Sequence, residues 1–325
     1  MSLLGCPNEI LINICEHVFD GGHGRDALSK AGRTCKLLNN ISNEIIYRDI
    51  STNVQPRSKL ESDSPHGFKF PTLDIIGLII TLDSNPYLAS LVKSIDIVNG
   101  IVMGNGQGHD LRRVLRHHEA VGVLSSNVPT EMLKVVALMT LLSLTKNLAK
   151  AKLPVDFYPA RFPALANQDL PFELPCLEQL SFYEHRRSWV NPGDDLELGN
   201  RIVADTILKL LRASQSIKTL SLSLHSTYNR LLAPHGLKMP NIQTLVLDFH
   251  ALDACERNTM MGIKGIFQGC PRLTDLSVGN FRIFSLDQSD SFVPDQMRSF
   301  FEPVAGTLER LKLMGSNLCT VFPAT

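Results

Sequence analysis

The six residues Ile242–Leu247 (IQTLVL) carry the pattern that decides the fold. An isoleucine is followed by a leucine three positions later and by a second leucine two positions after that. In a β-strand the two leucines point to the same face, because side chains alternate between the faces. The stretch therefore predicts a short strand that buries one face.

The same spacing of apolar residues recurs along the chain from residue 92 onward. It predicts one strand in each of the units Val92/Ile95/Ile97, Leu148/Ala151/Leu153, Leu177/Leu180/Phe182, Ile217/Leu220/Leu222, Ile242/Leu245/Leu247, Leu273/Leu276/Val278 and Leu308/Leu311/Leu313. The first residues of successive units are 56, 29, 40, 25, 31 and 35 positions apart. Leucine-rich repeats are typically about 20–29 residues long, so some units are expected to contain longer helices or loops.

Helical patterns separate these units. They cover Glu131–Leu148, Arg201–Ala213, Met260–Gln268 and Asp295–Val304. A repeated alternation of strand and helix is typical of a solenoid, in which one unit cannot bury its apolar face without its neighbours. We therefore predict an α/β solenoid over residues 72–325, an irregular leucine-rich-repeat array with a parallel sheet on its concave face.

The residues between the buried positions of each strand would line that concave face. Alternation along the strand points them away from the core, where a binding partner can reach them. The candidate target-binding residues are Tyr183, Ser221, Ser223, Asp248, Asp275, Arg310 and Lys312.

The first fifty residues show a different pattern, that of short amphipathic helices. Pro7 suits the first position of a helix, and Gly21–Gly24 ends that helix. Two further helices follow, and Thr34 is the expected cap of the second of these two. The apolar residues that share one face of the first helix are Ile10, Leu11, Ile14, Cys15 and Val18. Residues 51–71 are polar and contain proline, which predicts a linker.

Three segments of this N-terminal region together resemble the F-box of proteins from filamentous fungi. They are Pro7–Leu11 (PNEIL), Thr34–Leu38 (TCKLL) and Ile45–Ile50 (IIYRDI), in that order. One class of F-box proteins carries leucine-rich repeats next. The resemblance divides the chain into a small three-helix F-box at 1–50, a linker at 51–71 and a leucine-rich-repeat-like substrate-binding domain at 72–325.

The resemblance implies a substrate-receptor subunit of an SCF-type ubiquitin ligase that catalyses no reaction itself. The F-box would bind a Skp-type adaptor and, through it, a cullin scaffold, while the repeat array holds an unknown protein substrate. Carried over by position, the adaptor-binding residues are Pro7, Ile10, Leu11, Ile14, Leu28, Cys35 and Leu38, some of which must fill the small helical core. The alternative is a non-catalytic leucine-rich binding scaffold with no role in ubiquitination.

Charge and cysteine content argue against several other classes of protein. Lys+Arg and Asp+Glu are equal at 32 each, so no basic excess favours nucleic acid or an anionic membrane. The most apolar stretch, Val135–Leu144, is about half the length that a bilayer requires. The seven cysteines are scattered without a CxxC, which favours an intracellular location, cytoplasmic or nuclear, over a disulfide framework or a zinc module.

No cofactor or nucleophile motif is complete, so we expect no enzyme activity, cofactor or metal. Gly104–Gly108 precedes His109 where GxGxxG requires glycine, and we interpret it as a loop. His185, His225 and His250 follow three successive units at equivalent positions. We expect them to satisfy backbone groups or line the edge of the array, with a three-histidine zinc site as the alternative.

Two basic clusters, at residues 112–118 and at Arg186–Arg187, are interpreted as solvated faces. The alternative is a patch that binds a phosphorylated or acidic segment of a substrate, because arginine grips phosphate with two hydrogen bonds. A charge cluster alone identifies no partner.

Overall fold

A computed structural model gives the architecture of the chain. The structure describes residues 6–20, 24–51, 75–97, 130–154, 172–183, 207–224, 238–249, 257–279 and 301–314. Within these ranges three helices precede the first of eight short strands, and helices also lie between most of the later strands.

The eight described strands form one parallel sheet, and helices lie in most of the connections between them. The helices are α1 (Asn8–Asp20), α2 (Gly24–Gly32), α3 (Lys36–Arg48), α4 (Ile75–Ser84), α5 (Pro86–Leu91), α6 (Thr130–Leu144), α7 (207–213) and α8 (Arg257–Gln268), with a short 3-10 helix at Glu302–Val304. The strands are β1 (Asp49–Ser51), β2 (Ser94–Asp96), β3 (Lys150–Pro154), β4 (Gln179–Tyr183), β5 (Thr219–Leu224), β6 (Thr244–Phe249), β7 (Asp275–Gly279) and β8 (Arg310–Met314). All eight pair in parallel and in chain order. This is an α/β fold, compatible with the predicted solenoid.

One row of apolar residues, here called the core row, runs through the sheet with one residue from each strand. It consists of Ile50, Ile95, Ala151, Leu180, Leu220, Leu245, Leu276 and Leu311. Its first seven members are at most 4% exposed, whereas Leu311 is 45% exposed. Among the described residues no strand follows β8, so within them Leu311 has a neighbouring strand on one side only. The seven predicted strands are confirmed as β2–β8.

A pattern of backbone hydrogen bonds also repeats, at the starts of β3–β8. The carbonyl of Lys93 accepts the N–H groups of Ala149 and Lys150 at 2.8 and 3.0 Å. The carbonyl of Gln243 accepts those of Thr274 and Asp275, both at 2.9 Å. The same double acceptance recurs at Ala149, Glu178, Lys218 and Thr274. These bonds fix the register between consecutive units, and with it the faces on which side chains lie.

A further recurring position lies three residues before the first apolar residue of each unit, in the turn that leads to the strand. It is buried at Thr145, Ser214 and Cys270. The Thr145 hydroxyl donates to the Leu141 carbonyl at 3.1 Å, and the Ser214 hydroxyl donates to the Leu174 carbonyl at 3.0 Å. Polar residues are tolerated here because they satisfy carbonyls of the turns. Burial raises the pKa of the Cys270 thiol to about 12, so this cysteine stays protonated near neutral pH.

The helical predictions hold with shifted boundaries. The pattern at Glu131–Leu148 corresponds to α6, which ends at Leu144 because the turn before β3 begins there. The pattern at Met260–Gln268 corresponds to α8. For the other two patterns, the structure describes residues 207–213 and 301–304, which are helical.

The three N-terminal helices pack around a small core of their own. It consists of Leu11, Cys15, Leu28, Leu38, Ile41 and Ile45. The cap of α3 is Cys35 rather than the expected Thr34: the Cys35 Sγ accepts the Leu38 N–H at 3.5 Å. The Thr34 hydroxyl donates instead to the Ala31 carbonyl at 2.7 Å, which occupies it in the turn after α2.

Helix α3 continues directly into the first strand of the sheet. It ends at Arg48, and β1 begins at Asp49. Ile50 is 4% exposed in the main core, and the Lys93 N–H donates to the Arg48 carbonyl at 2.9 Å. The sheet therefore begins inside the predicted 1–50 segment, earlier than the expected start at residue 72. Of the predicted linker 51–71, only Ser51 lies within the described residues, and it belongs to β1.

Adjacent residues of β6 lie on different faces of the sheet, so their mutation should change stability by different amounts. Leu245→Ala should lower the free energy of unfolding by about 2–5 kcal/mol, because the fully buried side chain leaves a cavity. Val246→Thr, on the other face, should change it by less than about 0.5 kcal/mol. Urea unfolding followed by circular dichroism measures both, and equal losses would contradict the assignment of the faces.

Candidate functional site

A line of exposed apolar side chains runs along α1. Ile10, Ile14 and Val18 are 48%, 42% and 40% exposed, and they are four residues apart, close to one helical turn. Pro7, also exposed, lies one turn before Ile10. These four residues are here called the α1 stripe. The stripe offers a partner a continuous apolar surface on a helix whose other flank is packed.

The structure divides the seven predicted adaptor-binding residues into two groups. Pro7, Ile10 and Ile14 are exposed in the α1 stripe. The other four belong to the helical unit itself: Leu11, Leu28 and Leu38 are buried in its core, and Cys35 is the half-buried cap of α3. Their packing keeps the three leucines from a partner unless the unit rearranges.

Val18 completes the stripe and was not among the predicted adaptor-binding residues. Its signal in the sequence is the spacing of four residues from Ile14, which repeats the spacing from Ile10 to Ile14. The sequence places Ile10, Leu11, Ile14, Cys15 and Val18 on one apolar face. It does not show which flank of that face turns inward, because the packing of α2 and α3 decides this.

An ion pair ties α1 to the start of the sheet. The Arg48 Nη1 lies 3.0 Å from the Glu16 Oε1 on α1, and its Nε lies 3.2 Å from the Asp49 Oδ2 on β1. The hydrogen bond with Glu16, followed by that with Asp49, raises the pKa of Arg48. All three groups are partly exposed, so these pairs orient α1 more than they stabilise the fold.

The second candidate surface is the polar face, defined here as the side chains of β1–β8 that point away from the core row. The register arranges them in three rows. The first is Asp49, Ser94, Lys150, Gln179, Thr219, Thr244, Asp275 and Arg310; the second is Ser51, Asp96, Lys152, Ser181, Ser221, Val246, Ser277 and Lys312; the third is Tyr183, Ser223, Asp248, Gly279 and Met314. All seven predicted target-binding residues lie on this face.

The rows place some of these residues side by side. Tyr183, Ser223 and Asp248 are consecutive in the third row. Asp275 and Arg310 are neighbours in the first row and form an ion pair. The Arg310 hydrogen bond, followed by that of Thr274, lowers the pKa of Asp275, so its carboxylate stays charged across the neutral range.

A third group on the polar face joins three neighbouring strands, and two of its three members were not predicted. Lys152 on β3 lies between Asp96 on β2 and Tyr183 on β4. Its Nζ is 3.7 Å from the Asp96 Oδ2 and 5.7 Å from the centroid of the Tyr183 ring. Burial raises the pKa of Asp96, and the charge of Lys152 opposes that rise.

The described part of the chain does not include the other candidate sites from the sequence. There, no group of three or more His, Cys, Asp or Glu residues is arranged to hold a metal. His185, His225, His250, the Gly104–Gly108 loop and the basic clusters at 112–118 and Arg186–Arg187 lie outside the described residues. None of the helices in the described ranges combines the length and the apolar character needed to cross a membrane.

No family model and no curated protein matches the chain. We therefore infer the function from the α1 stripe and the polar face.

The division of the adaptor-binding candidates predicts different effects of truncation on stability. Leu28→Ala should lower the free energy of unfolding by about 2–5 kcal/mol, because Leu28 is buried in the helical core. Ile14→Ala should change it by less than about 0.5 kcal/mol, because Ile14 is exposed and alanine favours a helix. Thermal and urea unfolding test this, and a large loss for Ile14→Ala would mean that the stripe is packed within the chain.

Proposed function

We propose that the protein is the substrate-receptor subunit of an SCF-type ubiquitin ligase. The α1 stripe binds a Skp-type adaptor, which connects the chain to a cullin scaffold, and the polar face binds the target protein. The observation that carries the proposal is the alignment of Ile10, Ile14 and Val18 on α1, each at least 40% exposed.

The arrangement of the stripe supports a protein partner. Single exposed apolar residues are common on protein surfaces, but side chains at successive turns of one helix form the recognition pattern of a helix that lies in an apolar groove. Burying them on binding would stabilise the complex by roughly 25 cal/mol for each Å² of apolar surface removed from water. The resemblance of residues 1–50 to an F-box suggests a Skp-type adaptor as that partner.

The polar face supports a role in holding a target. Its side chains are mainly hydroxyl, amide and charged groups on a sheet fixed by regular backbone hydrogen bonds. Such a surface binds by shape and by scattered polar contacts. A receptor contributes to ubiquitin transfer through proximity alone, since a held lysine meets the conjugating enzyme at high effective concentration. It therefore requires no catalytic residue of its own.

Charged residues in the stripe should abolish adaptor binding. The variant Ile10→Asp/Ile14→Asp places two carboxylates where the proposal expects buried anchors, each of which is worth about 2 kcal/mol or more. Co-expression of the full chain with a fungal Skp-type adaptor, followed by gel filtration, should give a complex with the wild type and none with this variant.

The matched control is Ser29→Asp/Asn40→Asp, which adds the same charge at exposed positions of α2 and α3. It should keep the complex, and circular dichroism should show all three proteins folded. If the folded stripe variant still binds, the stripe is not the adaptor site. If the wild type forms no complex, the chain is better explained as a binding scaffold outside ubiquitination.

A further inference from the structure

Two lysines project from β3 onto the polar face. Ala151 and Leu153 of this strand are 3% and 0% exposed, so Lys150 and Lys152 point to the opposite side. Lys150 is exposed, and Lys152 is half-buried. Their Cα atoms are about 6.6 Å apart at the usual rise of a strand. A single segment of a partner can therefore contact both ammonium groups.

Lys152 is oriented before any partner arrives. The Asp96 carboxylate and the Tyr183 ring hold its ammonium group from the two neighbouring strands, at 3.7 Å and 5.7 Å. A cation fixed in place and partly removed from water loses less freedom on binding and is less screened. These contacts distinguish Lys152 from a freely rotating surface lysine.

Within the described strands, the two lysines and their direct cross-strand neighbours together carry a positive charge. The cross-strand neighbours of the two lysines are Ser94, Asp96, Gln179 and Ser181. They contribute one carboxylate against two ammonium groups, so the pair is not fully neutralised by its neighbours.

The cations of β8 occupy the same two rows but have a different environment. The register places Arg310 in the row of Lys150 and Lys312 in the row of Lys152. The Arg310 side chain is 79% exposed and pairs with Asp275, so water screens it strongly. The β3 pair is therefore the better anchor for a carboxylate.

We infer that Lys150 and Lys152 anchor an acidic segment of the target protein, whose Asp or Glu side chains bind the two ammonium groups. The two positive charges of the β3 pair are complementary to the carboxylates of such a segment. The ring of Tyr183 limits the positions that Lys152 can adopt. The inference rests on the proposed role of the polar face and is independent of adaptor binding.

A labelled hexaglutamate peptide serves as the probe, with hexaglutamine as its neutral counterpart. Fluorescence anisotropy at low ionic strength should show that the full chain binds hexaglutamate and not hexaglutamine. Added salt should weaken the binding, because the charges are solvent-accessible. Lys150→Glu/Lys152→Glu should weaken it about tenfold or more. Lys146→Glu/Lys238→Glu, at exposed positions outside the sheet and with the same change in net charge, should weaken it less than about threefold.

Equal losses in the two double variants would overturn the inference, because they would show attraction by net charge alone. Absence of hexaglutamate binding by the wild type would overturn it too. If the β3 variant does not fold, Lys150→Gln/Lys152→Gln carries the same test with a smaller expected loss. The adaptor complex, measured in parallel, should form with all folded variants. Its absence from the wild type would count against the proposed function while leaving the peptide result valid.

Discussion

The structure depends on the packing of the core row from strand to strand. Each unit contributes one short strand that cannot bury its apolar side chain alone, and parallel pairing with the units on either side covers it. Ile50 at one end of the row is buried in the main core beside β2, whereas Leu311 at the other end is half-exposed. The double backbone acceptance by the residues that precede β2–β7 fixes the register from β2 to β8. That register decides which residues reach the polar face.

The same packing gives the N-terminal helices their place. Because α3 runs into β1 without a linker, the three-helix unit and the sheet share continuous backbone, and Tyr47 packs against the main core while Ile45 packs in the helical core. The pair between Arg48 and Glu16 adds a contact from α1 to this junction. The α1 stripe is thus held relative to the polar face. This suits the proposed receptor role, in which a target is presented at a defined distance from the adaptor.

The sequence predicted the strands of the sheet well because each unit repeats an unambiguous spacing of apolar residues. It missed β1, where Ile50 is the only apolar residue between Asp49 and Ser51 and follows a helix directly. It placed Leu11 beside Ile10 in one binding group, although the packing of α2 and α3 separates them. The contact of Lys152 with Asp96 and Tyr183 could not be predicted from the sequence either, because it depends on the register between strands that are distant in sequence.

Hydrogen–deuterium exchange of the full chain, with and without a purified Skp-type adaptor, can locate the adaptor site. We expect slower exchange in α1 on complex formation, because docking along the α1 stripe restricts local opening of this helix. We expect unchanged exchange in β4–β7. Unchanged exchange in α1, or protection confined to the strands, would contradict an adaptor site on the α1 stripe.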